Sequence, residues 1–438
     1  MTLIDLTRPP RSGRRMDSLP VAIIGAGPIG LAAAANLVER GIPFEIYEAG
    51  DTVADSIRQW GHIRLFSPWK HLVDPASGRL LETAGWQHPT DSALPTGAEL
   101  VDEYLTPLAS LPQIAEHTRT GVEVIAVSRE GMDRTRTAGR AATPFLLRVR
   151  DPEGAQTEIS ARAVIDASGT FRTPNSLASS GLDPLGLDEV ADLITHALPD
   201  VLGRDRRLFA GKHTTVVGAG HSAANTLLSL AALASDEPGT RITWAIRNRS
   251  AIRVSSSPDD DLAARAKLGG RVDELVAAGV IDVVDRFEIV RLSRRDDRIR
   301  IVASRSGELT EYDTDVIVNA TGFRPNLAML REIRLELDDV VEAPRRLAPL
   351  IDPNVHSCGT VAPHGFAELE QPEDGFFLAG MKSYGRAPTF LLATGYEQVR
   401  SIVAWLGGDA ASAAQVQLTL PATGVCSTDL GQGGGCCS

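Results

Sequence analysis

The chain has 438 residues, 43% hydrophobic and 23% charged, with 44 Lys plus Arg against 56 Asp plus Glu for a formal net charge of -12. At roughly 100–200 residues per domain, that length predicts two or three domains, and the ordinary composition excludes collagen-like, disordered and multispanning membrane classes. The acidic balance argues against nucleic acid, whose affinity comes mainly from cations that neutralise phosphates.

Residues 1–18 read as a disordered arm. Arg8, Arg11, Arg14 and Arg15 precede an uncharged run from Leu19 to Val38, a pattern shared with export signals. Gly25, Gly27, Pro28 and Gly30 interrupt that run, so a leader is not expected. Val21–Ile24 reads instead as a short buried strand that enters Gly25-Ala-Gly27-Pro-Ile-Gly30 and a helix-forming stretch, Leu31–Leu37. Gly25 permits a tight turn, Gly27 lets the backbone approach a pyrophosphate, and Gly30 lets helix and strand pack closely. The helix N-terminus would stabilise the phosphate charge. The next strand, Phe44–Tyr47, ends in Glu48, a carboxylate suited to a ribose diol.

Residues 60–88 concentrate Trp60, Trp69 and Trp86 with His62, His71 and His88, and form the expected substrate-side lining. A helix is expected over Thr96–Leu108. Ala163–Gly169 reads as another buried strand ending in a small-residue turn. The glycine pattern then recurs: Thr214–Val217 leads into Gly218-Ala-Gly220-His-Ser222-Ala and the helical stretch Ala224–Ala234. The following strand, Arg241–Ile246, ends in Arg247-Asn248-Arg249 rather than in a carboxylate, and cations there suit a 2′-phosphate. The first motif therefore suits an adenine dinucleotide with a free diol, and the second suits NADPH over NADH. Asp315–Gly322 and Gly375–Gly380 repeat the strand and small turn, a geometry that brings backbone N–H groups to a cofactor, and a helix-like stretch follows at Thr389–Leu406.

The four cysteines, at 358, 426, 436 and 437, bracket no domain, so no disulfide framework is expected and a cytoplasmic protein is the default. Cys436 and Cys437 follow a glycine-rich stretch, and with Cys426 they offer three thiolates of the kind that bind soft ions such as As(III).

This arrangement resembles the class B flavin-dependent monooxygenases over residues 20–408. Its carriers are GAGPIG at 25–30, Glu48, GAGHSA at 218–223, Arg247 with Arg249, and NATGFRPN at 319–326. The resemblance implies an α/β fold of two Rossmann-like three-layer domains, with an NADPH domain over 181–324 inserted into an FAD domain over 19–180 and 325–408. Residues 409–438 would be a flexible tail. By the same likeness, Gly25, Gly27, Gly30, Glu48, Trp60, Val124, Gly169 and Gly380 would border FAD. Gly218, Gly220, Ser222, Arg247, Arg249 and Gly322 would serve NADPH and its turn. The family's Phe-x-Gly-x-x-x-His fingerprint is reduced here to His196, and Met381 stands where an aspartate often follows the late glycine.

The implied activity is oxygenation of a small molecule at a soft N, S or As(III) centre, using molecular oxygen and a flavin C4a-hydroperoxide. The run at 380–401 and the cysteine tail resemble flavoproteins encoded beside bacterial arsenic-resistance genes. An NADPH-dependent flavoprotein reductase is the alternative enzyme, and a flavin-binding redox sensor is the alternative without turnover. Neither the substrate nor the oligomeric state is legible.

Overall fold

The computed structural model describes residues 16–248, 263–352, 363–387 and 390–418. Its strands are β1 (Val21–Ile24), β2 (Phe44–Tyr47), β3 (Thr118–Arg119), β4 (Glu123–Arg129), β5 (Phe145–Arg150), β6 (Gln156–Ala161), β7 (Ala163–Asp166) and β8 (Ile194–His196). They continue with β9 (His213–Val217), β10 (Arg241–Ala245), β11 (Asp282–Val284), β12 (Phe287–Arg295), β13 (Arg298–Arg305), β14 (Glu308–Thr314), β15 (Val316–Asn319) and β16 (Phe376–Leu378). The principal helices are α1 (Pro28–Glu39), α2 (Pro75–Thr83), α3 (His221–Asp236), α4 (Ala263–Ala277) and α5 (Leu392–Leu406).

Two parallel five-stranded sheets organise the molecule. The first runs β16-β7-β1-β2-β3 and the second β11-β10-β9-β15-β8. Every residue of β1, β7, β9 and β16 is buried. Strands covered on both faces need unbroken apolar or small residues, which is why they read as continuous runs rather than alternating ones. By contrast, β5 alternates buried with less buried residues in the antiparallel sheet β4-β5-β6, and β12-β13-β14 forms a second such sheet. The first large sheet draws strands from both ends of the chain, and β8 to β15 lie between β7 and β16 in sequence.

Where the chain leaves and re-enters the first half, the two crossings lie side by side. The Asn175 N–H donates to the Gly322 carbonyl and the Arg324 N–H to the Thr173 carbonyl, each at 2.9 Å. Asn319 Nδ2 and Thr321 Oγ1 both donate to the Asn175 carbonyl, at 3.0 and 3.1 Å. Two prolines, Pro174 and Pro325, keep both crossings out of helix, so they pair as a short hinge.

Close helix packing holds the first sheet. Ala32–Ala35 of α1 are fully buried, and α5 lies against that helix. The helix expected over Thr96–Leu108 forms as three consecutive pieces, Gly97–Leu100, a π-turn at Val101–Leu105, and Thr106–Ala109. Thr96 and Glu99 close its N-terminus as a reciprocal capping box. Pro107 has no N–H to give the carbonyl four residues back. That carbonyl, on Glu103, accepts instead from the Trp86 indole at 2.7 Å.

Among the described residues, no helix is long and apolar enough to cross a membrane.

Candidate functional site

At the carboxyl ends of β1, β2 and β7 the first sheet opens on a cavity of about 340 Å³. Gly25, Gly27, Glu48, Trp60, Val124 and Gly169 all line it. Gly25 sits at φ +97°, and a Cβ there would stand 2.9 Å from the Ala167 carbonyl oxygen of the neighbouring strand end. Only glycine fits that turn. A Cβ on Gly30 would collide with the Gly25 carbonyl at 1.9 Å, whereas a Cβ on Gly27 would meet nothing within 4 Å. The loop is thus closed behind and open in front. The helix that begins there, α1, has first-turn N–H groups with no intrahelical acceptor. A loop of this shape could hold a diphosphate.

Glu48 braces the loop. Its Oε2 accepts from the Ala26 N–H at 2.8 Å and its Oε1 from the Gly50 N–H at 2.7 Å. Each carboxylate oxygen keeps a second lone pair, the capacity a ribose diol requires. Trp60 reaches the wall because Gly97 lies under its indole, where a Cβ would come within 2.8 Å of the ring. Val124 precedes a register shift between β4 and β5, which turns that strand across the cavity mouth.

One feature of this wall carried no sequence signal. Lys382, wholly buried, donates from Nζ to Asp166 Oδ2 at 2.6 Å and to Ser168 Oγ at 3.0 Å. Asp166 ends β7 and Lys382 follows β16, so residues 216 apart in sequence meet across adjacent strands. Met381 and Lys382 border the cavity. Gly380 does not: its N–H donates to Gln398 at 2.8 Å, and a Cβ on it would press on Ile29 at 2.9 Å. Its role in this structure is close packing against α1, which differs from the expected cofactor contact.

The segment 60–88 divides. Trp60 and Leu65 line the cavity, while Trp69 is buried in the core and Trp86 packs against Tyr104 and His88. Phe66 points to the other half of the molecule, against His221, with ring centroids 5.4 Å apart. Of the segment 60–88 expected to form the substrate-side lining, Trp60 and Leu65 border this cavity and the other tryptophans do not. Trp69 and Trp86 pack in or against the core around α2 and the helix at Gly97–Ala109, whereas His62 and His88 are exposed.

The second sheet repeats the first cradle at a cavity of about 490 Å³. Gly218 lies at φ +130°, and a Cβ there would stand 2.1 Å from the Ala320 carbonyl. Gly220, like Gly27, faces open space. Both border the cavity, as does Arg247 at the end of β10. The buried Trp244 indole donates to the Gly218 carbonyl at 2.6 Å and pins the loop from below. Ser222 lies in the first turn of α3, where its carbonyl accepts from Thr226, and it does not reach the cavity wall. Gly322 also stands back, inside the hinge, where a Cβ would come within 3.2 Å of Asn175 Nδ2. Phe171 of the first cavity stacks on His196 and meets Phe323, so an aromatic bridge spans the two halves.

Arg249, Cys358, Cys426, Cys436 and Cys437 lie outside the described residues. Among those described, no group of His, Cys, Asp or Glu is placed to hold a metal ion.

Two family profiles match the chain. An NAD(P)-binding Rossmann-like domain matches residues 23–76, and a pyridine nucleotide-disulphide oxidoreductase profile matches residues 153–357. Neither profile spans half of the chain, and together they support an oxidoreductase that uses FAD and NADPH. Its fold is that of the two-domain flavoproteins. The chain is 29% identical to indole-3-pyruvate monooxygenase YUCCA6 of Arabidopsis thaliana over 211 residues, 48% of this chain and 44% of that protein. It thus matches less than half the length of that curated relative.

Among solved structures, bacillithiol disulfide reductase Bdr from Bacillus cereus superposes with a TM-score of 0.66 at 17% identity, covering 89% of this chain and 99% of that one. The FAD-bound cadaverine monooxygenase DfoA from Erwinia amylovora gives 0.62 at 14% identity, covering 94% and 99%. At these identities the two structures speak to the fold alone.

Proposed function

We propose that this protein is an NADPH-consuming, FAD-dependent monooxygenase that transfers one oxygen atom of O2 to a soft nucleophilic N, S or As(III) centre of a small molecule. The observation that carries the reading is a pair of glycine-loop cavities facing one hinge, with no cysteine before position 358. A disulfide reductase of this fold would place reactive cysteines beside its flavin, and among the described residues no cysteine lines the first cavity. The partial likeness to an indole-3-pyruvate monooxygenase points the same way.

The residues of the first cavity fit FAD. Gly25, Gly27 and the α1 N-terminus would take its diphosphate and Glu48 its ribose, with Val124 beside the adenine and Trp60 closing the wall. In the second cavity, Gly218 and Gly220 would take the diphosphate of NADPH, and Arg247 its 2′-phosphate. When bound, the flavin would supply the redox chemistry, a two-electron link between NADPH and O2 in which one oxygen atom goes to substrate and the other to water. The protein's part is to hold both nucleotides, to orient them across the hinge and to exclude water. None of this requires a Ser–His–Asp or paired-carboxylate arrangement.

Mixing the holoprotein with NADPH in the absence of oxygen tests the reading, and bleaching of the flavin is the expected result. A flavin that stays oxidised eliminates monooxygenase and reductase alike and leaves the redox sensor. On readmitting oxygen, uptake stimulated by an amine, a sulfide or a trivalent arsenical supports oxygenation. Rapid turnover of a disulfide without such uptake supports the reductase. For an arsenical substrate in particular, Cys436→Ser with Cys437→Ser is expected to raise KM for methylarsenite. Unchanged kinetics would dismiss a role for the tail.

A further inference from the structure

We propose that Arg324 grips the pyrophosphate of the pyridine dinucleotide and thereby fastens that ligand to the hinge between the two halves; this rests on the second cavity being the NADPH site. Among the described residues three guanidinium groups border that cavity, Arg247, Arg324 and Arg386, and no carboxylate does. Arg386 is already engaged, donating from Nε to Glu342 at 2.6 Å. The side chains of Arg247 and Arg324 have no hydrogen-bond or ion-pair partner among the described residues. Two cations with no partner among the described residues, both at one cavity, favour an anionic ligand with more than one charged group. A pyridine dinucleotide with a 2′-phosphate has two.

Strand order separates the roles of the two arginines. In the second sheet β9 carries the glycine loop, β10 flanks it on one side and β15 on the other. Arg247 follows β10, the side on which a dinucleotide's adenosine ribose rests in this kind of sheet. Arg324 lies five residues beyond the end of β15, on the opposite side, and the loop is pressed against that strand's end at Ala320. Reaching the 2′-phosphate from there would mean crossing the glycine loop, whereas the pyrophosphate lies at the loop itself. The guanidinium fork suits two phosphate oxygens at once.

The main chain of Arg324 is tied at 2.9 Å to Thr173 in the other crossing. A nucleotide held by this side chain therefore bears on both crossings, and its binding would stiffen the hinge that sets the distance between the two cavities.

The test is equilibrium binding to the oxidised holoprotein of NADP⁺, NAD⁺ and adenosine 2′-phosphate. Arg247→Ala is expected to weaken NADP⁺ and adenosine 2′-phosphate and to spare NAD⁺. Arg324→Ala is expected to weaken NADP⁺ and NAD⁺ alike, by about tenfold or more, and to spare adenosine 2′-phosphate. Arg324→Lys, which keeps the charge but not the fork, should recover part of the loss while retaining FAD. Wild-type affinity for NADP⁺ in Arg324→Ala overturns the proposal, and so does a loss confined to NADP⁺ and adenosine 2′-phosphate. Loss of FAD in both Arg324 variants marks a structural role and overturns it too. A wild-type protein that binds none of the three ligands overturns the NADPH reading itself, and this proposal falls with it.

Discussion

Lys382 shows how a single residue can be invisible in sequence and central in space. It is one of four lysines in the chain, and its ammonium lies wholly buried against Asp166 and Ser168 at the cavity wall. Removing one partner of such a pair strands a charge where water cannot reach it. Lys382→Met is therefore expected to lower stability by about 3–5 kcal/mol in urea unfolding. Adding Asp166→Asn should recover most of that, because the stranded carboxylate is gone. If the single variant is as stable as wild type, the pair does not hold the wall. A second buried cluster follows the same logic: Glu373 accepts from both Arg129 and Arg140, at 2.8 and 2.7 Å, and the Arg129 guanidinium lies 3.6 Å over the Phe145 ring.

At the scale of elements, the helix from Gly97 to Ala109 was legible as a helix but not as an interrupted one. Thr96 and Glu99 announce its start, and its apolar residues Leu100, Val101, Tyr104, Leu105 and Leu108 share the buried side. Pro107 was visible as well. What could not be read was the partner that takes the freed Glu103 carbonyl, since Trp86 lies 17 residues away. Trp86→Phe keeps the apolar packing against Tyr104 and loses the indole donor. It is expected to cost about 1 kcal/mol of stability, measured as a lower urea midpoint at unchanged slope. An unchanged midpoint would mean that water satisfies the carbonyl equally well. The same limit explains the segment 60–88, where composition picked out aromatics but only contact decided that Trp60 faces the cavity and Trp69 the core.

At the scale of the whole molecule, a buried polar cluster links the helices beneath the first sheet. Asp74 caps α2 by accepting from the Ser77 N–H and hydroxyl, and Asn36 of α1 reaches toward it. The Asp74 N–H donates to the Tyr104 hydroxyl, and Tyr396 of α5 donates to the Leu72 carbonyl. Burial pushes the Asp74 carboxyl up to about 6, against the lowering effect of the Ser77 bonds. A carboxyl raised on folding contributes stability that is complete below its unfolded value near 3.8 and is lost as pH rises through about 6. Wild type should therefore lose on the order of 2 kcal/mol relative to Asp74→Asn between pH 4 and pH 8. Parallel pH profiles for the two proteins in urea unfolding would refute this.

The sequence by itself determined both strand–glycine loop–helix units. Each depends on a local string: an apolar strand, glycines at fixed spacing, a helix former and the charge that ends the next strand. Steric demands between neighbours write such a string into consecutive residues. Gly25 and Gly218 were readable for that reason, as was the contrast between Glu48 and Arg247. The hinge pairing of residues 173–175 with 322–324, the Lys382–Asp166 contact and the placement of Arg324 opposite Arg247 were decided only by tertiary structure. Each joins residues more than a hundred positions apart, or separates two arginines by the order of strands in a sheet. Strand order is set by how whole elements bury their faces against one another, and no local spacing encodes it.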